Sequence, residues 1–134
     1  MLMHSVRMGL IRHLERELAA CGLGLNFSQF RVLKMLGAHE WMTQSELARS
    51  VEHDAGALTR MLDRLQEKGY VLRRPHAEDR RAVEVSLTEA GRALWSSMRA
   101  ISLRINAYAV SDLSSQEQAS LTDLLQRVRA TVER

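Results

Sequence analysis

Apolar residues recur along this chain first at helical spacing, then at every second position, then at helical spacing again. Residues 2 to about 21 place Met3, Val6, Leu10, Leu14, Leu18 and Cys21 on one side, closer to a heptad than to a globular face. Gly22 to Asn26 reads as a loop. A second helix is expected from Ser28, with Phe27 just ahead of the cap and Phe30, Leu33 and Leu36 inward. Ala38 to Met42 then leads to Thr43, and Trp41 and Met42 are expected to pair as a short strand.

Thr43 and Glu46 stand at the spacing of a capping box, ahead of Leu47, Ala48 and Val51. His53 and Asp54 interrupt that helix. Asp54 is a good N-cap for the next one, which carries Leu58, Met61, Leu62 and Leu65 as one apolar stripe and ends at Gly69. Beyond Gly69 the period becomes 2. Val71 to Arg74 and Ala82 to Leu87 read as strands, with Val83, Val85 and Leu87 on one face and Glu84 and Ser86 on the other. From Thr88 a long helix to about Ala109 carries Leu94, Met98, Ile101, Ile105 and Tyr108. A last one starts at Ser114, where Glu117 completes a second capping box, and carries Leu121, Leu124, Leu125, Val128 and Val132.

The pattern predicts a mainly α fold with a small β-hairpin: a winged helix-turn-helix unit over 28–87, a long linking helix over 88–109, and dimerisation helices over 1–22 and 110–134, in one domain. The terminal stripes have no sheet or loop of their own to cover them. Interlocking with the same helices of a second copy is the economical solution, giving a two-fold homodimer.

Composition narrows the class. A chain of 134 residues with 46% hydrophobic content and one proline fits a helical protein of one domain. Its 19 Lys+Arg against 16 Asp+Glu give only +3, so an argument for nucleic acid rests on where the arginines sit. A single cysteine excludes an internal disulfide and fits a reducing cytoplasm. No stretch reads as a membrane span or a signal peptide.

The arginines are concentrated. The second helix of the pair leaves Gly56, Thr59, Arg60, Asp63 and Arg64 outward, small or polar residues suited to a DNA major groove, and Thr43, Gln44, Ser45 and Ala55 lie at the adjacent helix starts. The hairpin loop Pro75 to Arg81 gathers Arg73, Arg74, Arg80 and Arg81, whose natural target is phosphate or a narrow minor groove. Asp79 reads as an orienter of the arginine two residues on. The bland alternatives are a solvated hairpin and, for Arg60 and Arg64, surface pairs with Asp63, Glu67 or Glu78.

The run DRLQEKGYVLRRPHAEDRRAVEVSLTEAG, with SQFRVLKML and TQSELA upstream, resembles the MarR family of winged-helix transcription factors along nearly the whole chain. The resemblance implies a dimeric DNA-binding regulator, usually a repressor, with the helix after Asp54 in the major groove and a wing arginine in the minor groove; a two-fold dimer would space its recognition helices about one DNA turn, roughly 34 Å, apart and predicts a pseudo-palindromic operator. By position Arg81 matches that arginine and Asp79 its salt-bridge partner. It also implies control by small, often phenolic or anionic compounds. His13, Arg16, Phe30, Lys34 and Trp95 are the candidate pocket, offering cations and an apolar wall; the alternative is that they are ordinary interface and surface residues.

Cys21 is expected to be buried and inert, closing its helix with no basic partner nearer than Arg16; a redox-responsive regulator acting through it is the rival. The five histidines show no metal-ligand spacing, so neither metal nor cofactor is expected. Phosphate loops, GxSxG and HExxH are missing, which argues against an enzyme. A winged-helix module that binds protein in place of DNA is the other reading, separable by its indifference to salt.

Overall fold

Five of the six helices in this chain begin where a short polar side chain covers free backbone N–H groups; the first, at Met1, has no side-chain cap. A computed structural model describes residues 1–134. In order it has α1 (Leu2–Ala20), α2 (Phe27–Gly37), β1 (Met42–Thr43), α3 (Gln44–Val51), α4 (Ala55–Glu67), β2 (Val71–Pro75), β3 (Val83–Leu87), α5 (Glu89–Ala109) and α6 (Ser115–Val132). Thr43 and Ser114 cap α3 and α6 in capping boxes with Glu46 and Glu117, and Asp54 caps α4. The Glu117 carboxyl is held below its ordinary value, chiefly by the backbone N–H of Ser114.

α2 starts earlier than Ser28. Asn26 accepts from the N–H of Gln29 at 2.9 Å, and the Gln29 amide oxygen accepts from the N–H of Asn26 at 3.0 Å. Phe27 thereby becomes helical, and its N–H donates to Glu15 of α1 at 2.9 Å, fixing the α1–α2 corner.

The sheet runs β1-β3-β2, all antiparallel, with Met42 opposite Val85 and Arg73 opposite Val85 on its other side. The short strand is Met42–Thr43; Trp41 lies outside it and half-exposed. β2 runs on through Pro75, which its edge position tolerates because no partner needs the missing N–H. β3 begins at Val83, one residue later than expected. Val85 and Leu87 are buried but Val83, at the wing end, is not.

One core joins Leu14 and Leu18 of α1, Phe30, Val32, Leu33 and Leu36 of α2, the inward leucines of α3 and α4, Val71, Val85, and Leu94 to Ile105 of α5. The corner where α5 leaves the sheet is tight. The N–H of Thr88 donates to the Tyr70 carbonyl at 3.0 Å, and a Cβ on Gly91 would stand 2.0 Å from that same oxygen. Outside the core lie Met3 and Val6 of α1, Tyr108 of α5 and the whole of α6, which buries no residue. No helix is long and apolar enough to cross a membrane.

Cys21 is exposed, contrary to the expectation of a buried thiol. It is the C-cap of α1, and the chain turns away at Gly22 (φ 72°), leaving the inward positions to Leu18 and Leu25. The chain holds no second cysteine for it to pair with.

Candidate nucleic-acid interface

α3 and α4 meet at a turn that Glu52 makes in the left-handed region (φ 53°), with the His53 N–H donating to the Ala48 carbonyl at 3.1 Å. The apolar stripe of α4 faces inward, with Leu58, Leu62 and Leu65 fully buried and Met61 half-buried, so its other face is left to Ala55, Gly56, Arg60, Asp63 and Arg64, all exposed. Gly56 has a local reason: a Cβ there would lie 3.2 Å from the capping carboxylate of Asp54 and 3.5 Å from the Arg60 guanidinium. A small residue lets the cap and the arginine lie over the helix start.

Thr59 and Gln44 are not free. The Thr59 hydroxyl donates to the Ala55 carbonyl at 2.9 Å and accepts from the Gln44 amide at 2.8 Å, so the two residues tie the starts of α3 and α4 together. Ser45 is exposed, and the Thr43 hydroxyl accepts from Glu46 N–H at 3.2 Å.

The arginines separate into two kinds. Arg73 is half-buried and forms an ion pair with Asp63, while its Nε donates to Gln66 at 2.7 Å. That contact braces β2 against α4, and it withdraws Arg73 from the outward-facing set. Arg60, Arg64, Arg74, Arg80 and Arg81 are exposed and form no ion pair. The surface pairs considered for Arg60 and Arg64 do not form: Asp63 is taken by Arg73, and neither Glu67 nor Glu78 is in an ion pair.

The wing tip is ordered by side chains acting on backbone. Asp79 accepts from the N–H of Arg81 at 3.0 Å and makes no salt bridge to its guanidinium. It shapes the turn and leaves the arginine head free. Ala82 N–H donates to the Asp79 carbonyl and His76 N–H to the Ala82 carbonyl, both at 3.0 Å. The His76 ring accepts from the N–H groups of Glu78 and Asp79, each at 3.1 Å.

Sequence reasoning named Asp63 as an outward residue and a partner for Arg60 or Arg64, where the structure pairs it with Arg73, and it gave Gln66 and His76 no role. For His76 a signal existed, since an acceptor side chain two and three residues ahead of free N–H groups is how Asx turns are made.

The candidate ligand residues do not converge. Phe30 is buried, 6.1 Å from Phe27 and 5.6 Å from Trp95 between ring centroids, and Trp95 lies over Gly37, so the α2–α5 contact is filled. Lys34 is exposed without a partner. His13 and Arg16 instead join Glu17, Arg104, Ile105 and Tyr108 around an open depression of about 430 Å³ between α1 and α5. There Glu17 stands 3.9 Å from both His13 and Arg104, and His13 meets Tyr108 edge to face at 5.8 Å.

Two helices at a tight turn, the second braced to an arginine-tipped hairpin, define a winged helix-turn-helix protein. Within that class this chain belongs to the MarR family, whose model matches residues 25–83. It is 35% identical to the multiple antibiotic resistance protein MarR of Escherichia coli (strain K12), over 95% of this chain and 88% of that protein. The transcriptional regulator SarZ of Staphylococcus haemolyticus is 33% identical over 78% of this chain and 69% of its own. A crystal structure of a mutant E. coli MarR complexed with operator DNA matches with a TM-score of 0.81 at 35% identity, over 95% of this chain and 90% of that one. The family is one of transcriptional regulators and not of enzymes.

Proposed function

We propose that this protein is a homodimeric regulator that binds a pseudo-palindromic operator in double-stranded DNA and represses from it. Residues 28–87 form the DNA-binding unit, 1–22 and 110–134 pair with a second copy, and 88–109 links the two. The observation that carries the reading is the set of unpaired arginines on two elements held together by Arg73, Asp63 and Gln66. Arg60 and Arg64, with Thr43, Gln44, Ser45, Ala55, Gly56 and Thr59, face the major groove; Arg74, Arg80 and Arg81 face phosphate and the minor groove. Gln44 and Thr59 satisfy each other in the free protein, so using them on bases means exchanging one hydrogen bond for another. The E. coli MarR complex with operator DNA supports this reading by analogy.

Pairing is supported by surface. A compact monomer of 15.2 kDa exposes about 7,100 Å². This chain exposes 9442 Å², an excess of roughly 2,300 Å². An anionic aromatic effector finds cations in Arg16 and Arg104 and an apolar wall in Ile105 and Tyr108, in place of the Phe30 and Trp95 wall expected from the sequence.

The test is salt dependence on an operator selected from random duplex DNA. Each neutralised phosphate contributes a slope of about −0.9 in log affinity against log salt. Arg81→Ala, acting in both copies, is expected to weaken binding and flatten the slope by up to about 2. Affinity indifferent both to salt and to Arg81→Ala would mean that the unit binds a protein partner instead.

A further inference from the structure

We propose that His76 is a positioning residue for the wing: the unprotonated Nδ1 of its ring holds residues 76–82 in the shape that presents Arg80 and Arg81, so protonating the ring weakens operator binding. The inference rests on the reading of the wing as a DNA contact.

The ring sits at the base of the tip, between fixed neighbours on three sides. Nδ1 accepts from the N–H groups of Glu78 and Asp79 at 3.1 Å each. Nε2 points toward Glu84 of β3, 4.0 Å away. Trp41 meets the ring edge to face with centroids 5.4 Å apart. A neutral imidazole has one N–H and one lone pair, and these neighbours leave no choice of tautomer: the proton belongs on Nε2, facing the carboxylate, and the lone pair on Nδ1, facing the loop. His76 thus does for this loop what Asn or Asp does in an Asx turn.

Asn and Asp do not lose an acceptor in mildly acidic solution, whereas imidazole does. An imidazolium carries two N–H donors and no acceptor. A proton on Nδ1 would face two N–H groups that have nowhere to donate. The ring itself is not expelled, because Glu84 attracts its charge and Trp41 still packs against it. The loop is the partner that gives way, since its N–H groups are exposed and water can take them. The charged residues adjoining its neighbours are Glu40 beside Trp41, Arg74 of β2, opposite Glu84 in the register, and Glu78, Asp79, Arg80 and Arg81 on the loop itself. Asp79 links the ring to the arginines: its own N–H is held by His76 while its carboxylate holds the N–H of Arg81 at 3.0 Å.

The sign of the effect sets it apart from bulk electrostatics. Protonating the histidines of a DNA-binding protein adds positive charge and should tighten binding. A wing that opens on protonation does the opposite.

The experiment measures operator affinity between pH 8 and pH 5.5 at constant ionic strength for the wild type, His76→Asn, His76→Ala and Arg81→Ala. It also follows the amide resonances of Glu78 and Asp79 against the His76 ring in the free protein. Asparagine keeps an acceptor that does not titrate. His76→Asn is expected to bind nearly as well as wild type at pH 8 and to tighten on acidification. His76→Ala is expected to bind on the order of 5-fold more weakly already at pH 8, from the lost hydrogen bonds, and wild type to weaken by a similar factor as the pH falls. The two amides should shift with the ring's own midpoint. A His76→Asn profile that superimposes on wild type, or amides that ignore the ring, overturns the proposal. If Arg81→Ala binds like wild type, the wing reading fails instead, and the amide titration still decides whether Nδ1 holds the loop.

Discussion

Leu124→Asp separates a paired protein from a solitary one. Leu124 lies on α6, which touches the core with no buried residue, and its side chain is 53% exposed between Leu121, Leu125 and Val128, themselves at least 38% exposed. Within one copy nothing covers this stripe. The excess surface of about 2,300 Å² per chain is what a copy of an obligate homodimer would bring to an interface of 2,000–5,000 Å² in total. Completing the burial of a half-exposed leucine is worth about 1 kcal/mol, and leaving an unpaired carboxylate at such a seam costs a further 1 to 2 kcal/mol even when water reaches it. The symmetry applies the change twice. About 5 kcal/mol per dimer corresponds to three to four decades in the dimer dissociation constant.

Sedimentation equilibrium over a concentration series measures that constant, and circular dichroism reports whether the helices persist. Leu124 is not one of the buried core residues, so the mutant should lose its partner and its tight operator binding while keeping most of its helix. The reasoning is refuted by a wild-type protein that sediments near 15.2 kDa at tens of micromolar, or by a mutant dimer as tight as the original.

Two further changes probe the joints. Gly91→Ala places a Cβ 2.0 Å from the Tyr70 carbonyl oxygen, a backbone atom already held by Thr88 N–H; a loss of about 2 to 3 kcal/mol in urea denaturation is expected, and a neutral result would mean that the α5 corner yields to a methyl group without cost. Asp63→Ala with Gln66→Ala frees Arg73 from both of its partners on α4: it adds net positive charge, which by itself should strengthen DNA binding, yet operator preference over random DNA should fall several-fold because wing and helix no longer hold one spacing. Preserved preference in a competition assay would show that the brace does not set that spacing.

Much of this was legible in the sequence because caps and periodicity are local. Thr43 with Glu46, Asp54, and Ser114 with Glu117 announce their helices within four residues. Asn26 was legible too, since Gln29 completes its box, but Ser28 offered a competing cap and only the contact from Phe27 N–H to Glu15 decides between them. Alternation in β2 also carried unused information. Arg73 shares a face with buried Val71, whereas Arg74 falls with exposed Leu72, so a period of 2 already distinguishes the bracing arginine from the outward one. The candidate pocket was not legible. Which aromatic fills a helix crossing depends on how α2 and α5 meet, and Phe30 and Trp95 close that crossing against Gly37.

The braces also limit how any signal can travel. α4 and the wing are tied by Arg73, and α5 is tied to the β2 end by Thr88 and Gly91 against Tyr70, so these elements move together if they move at all. The depression at Arg104 lies 13 residues along α5 from Gly91, about 20 Å at helical rise. A ligand there cannot reshape the recognition surface of one copy through a soft contact. In the dimer proposed above, what it would change is the angle of α5 against α1, where Glu17 meets Arg104, and with it the distance between the two DNA-binding units. Control of that kind acts on half-site spacing, which an operator fixed at one helical turn would feel as a loss of simultaneous contact by both copies.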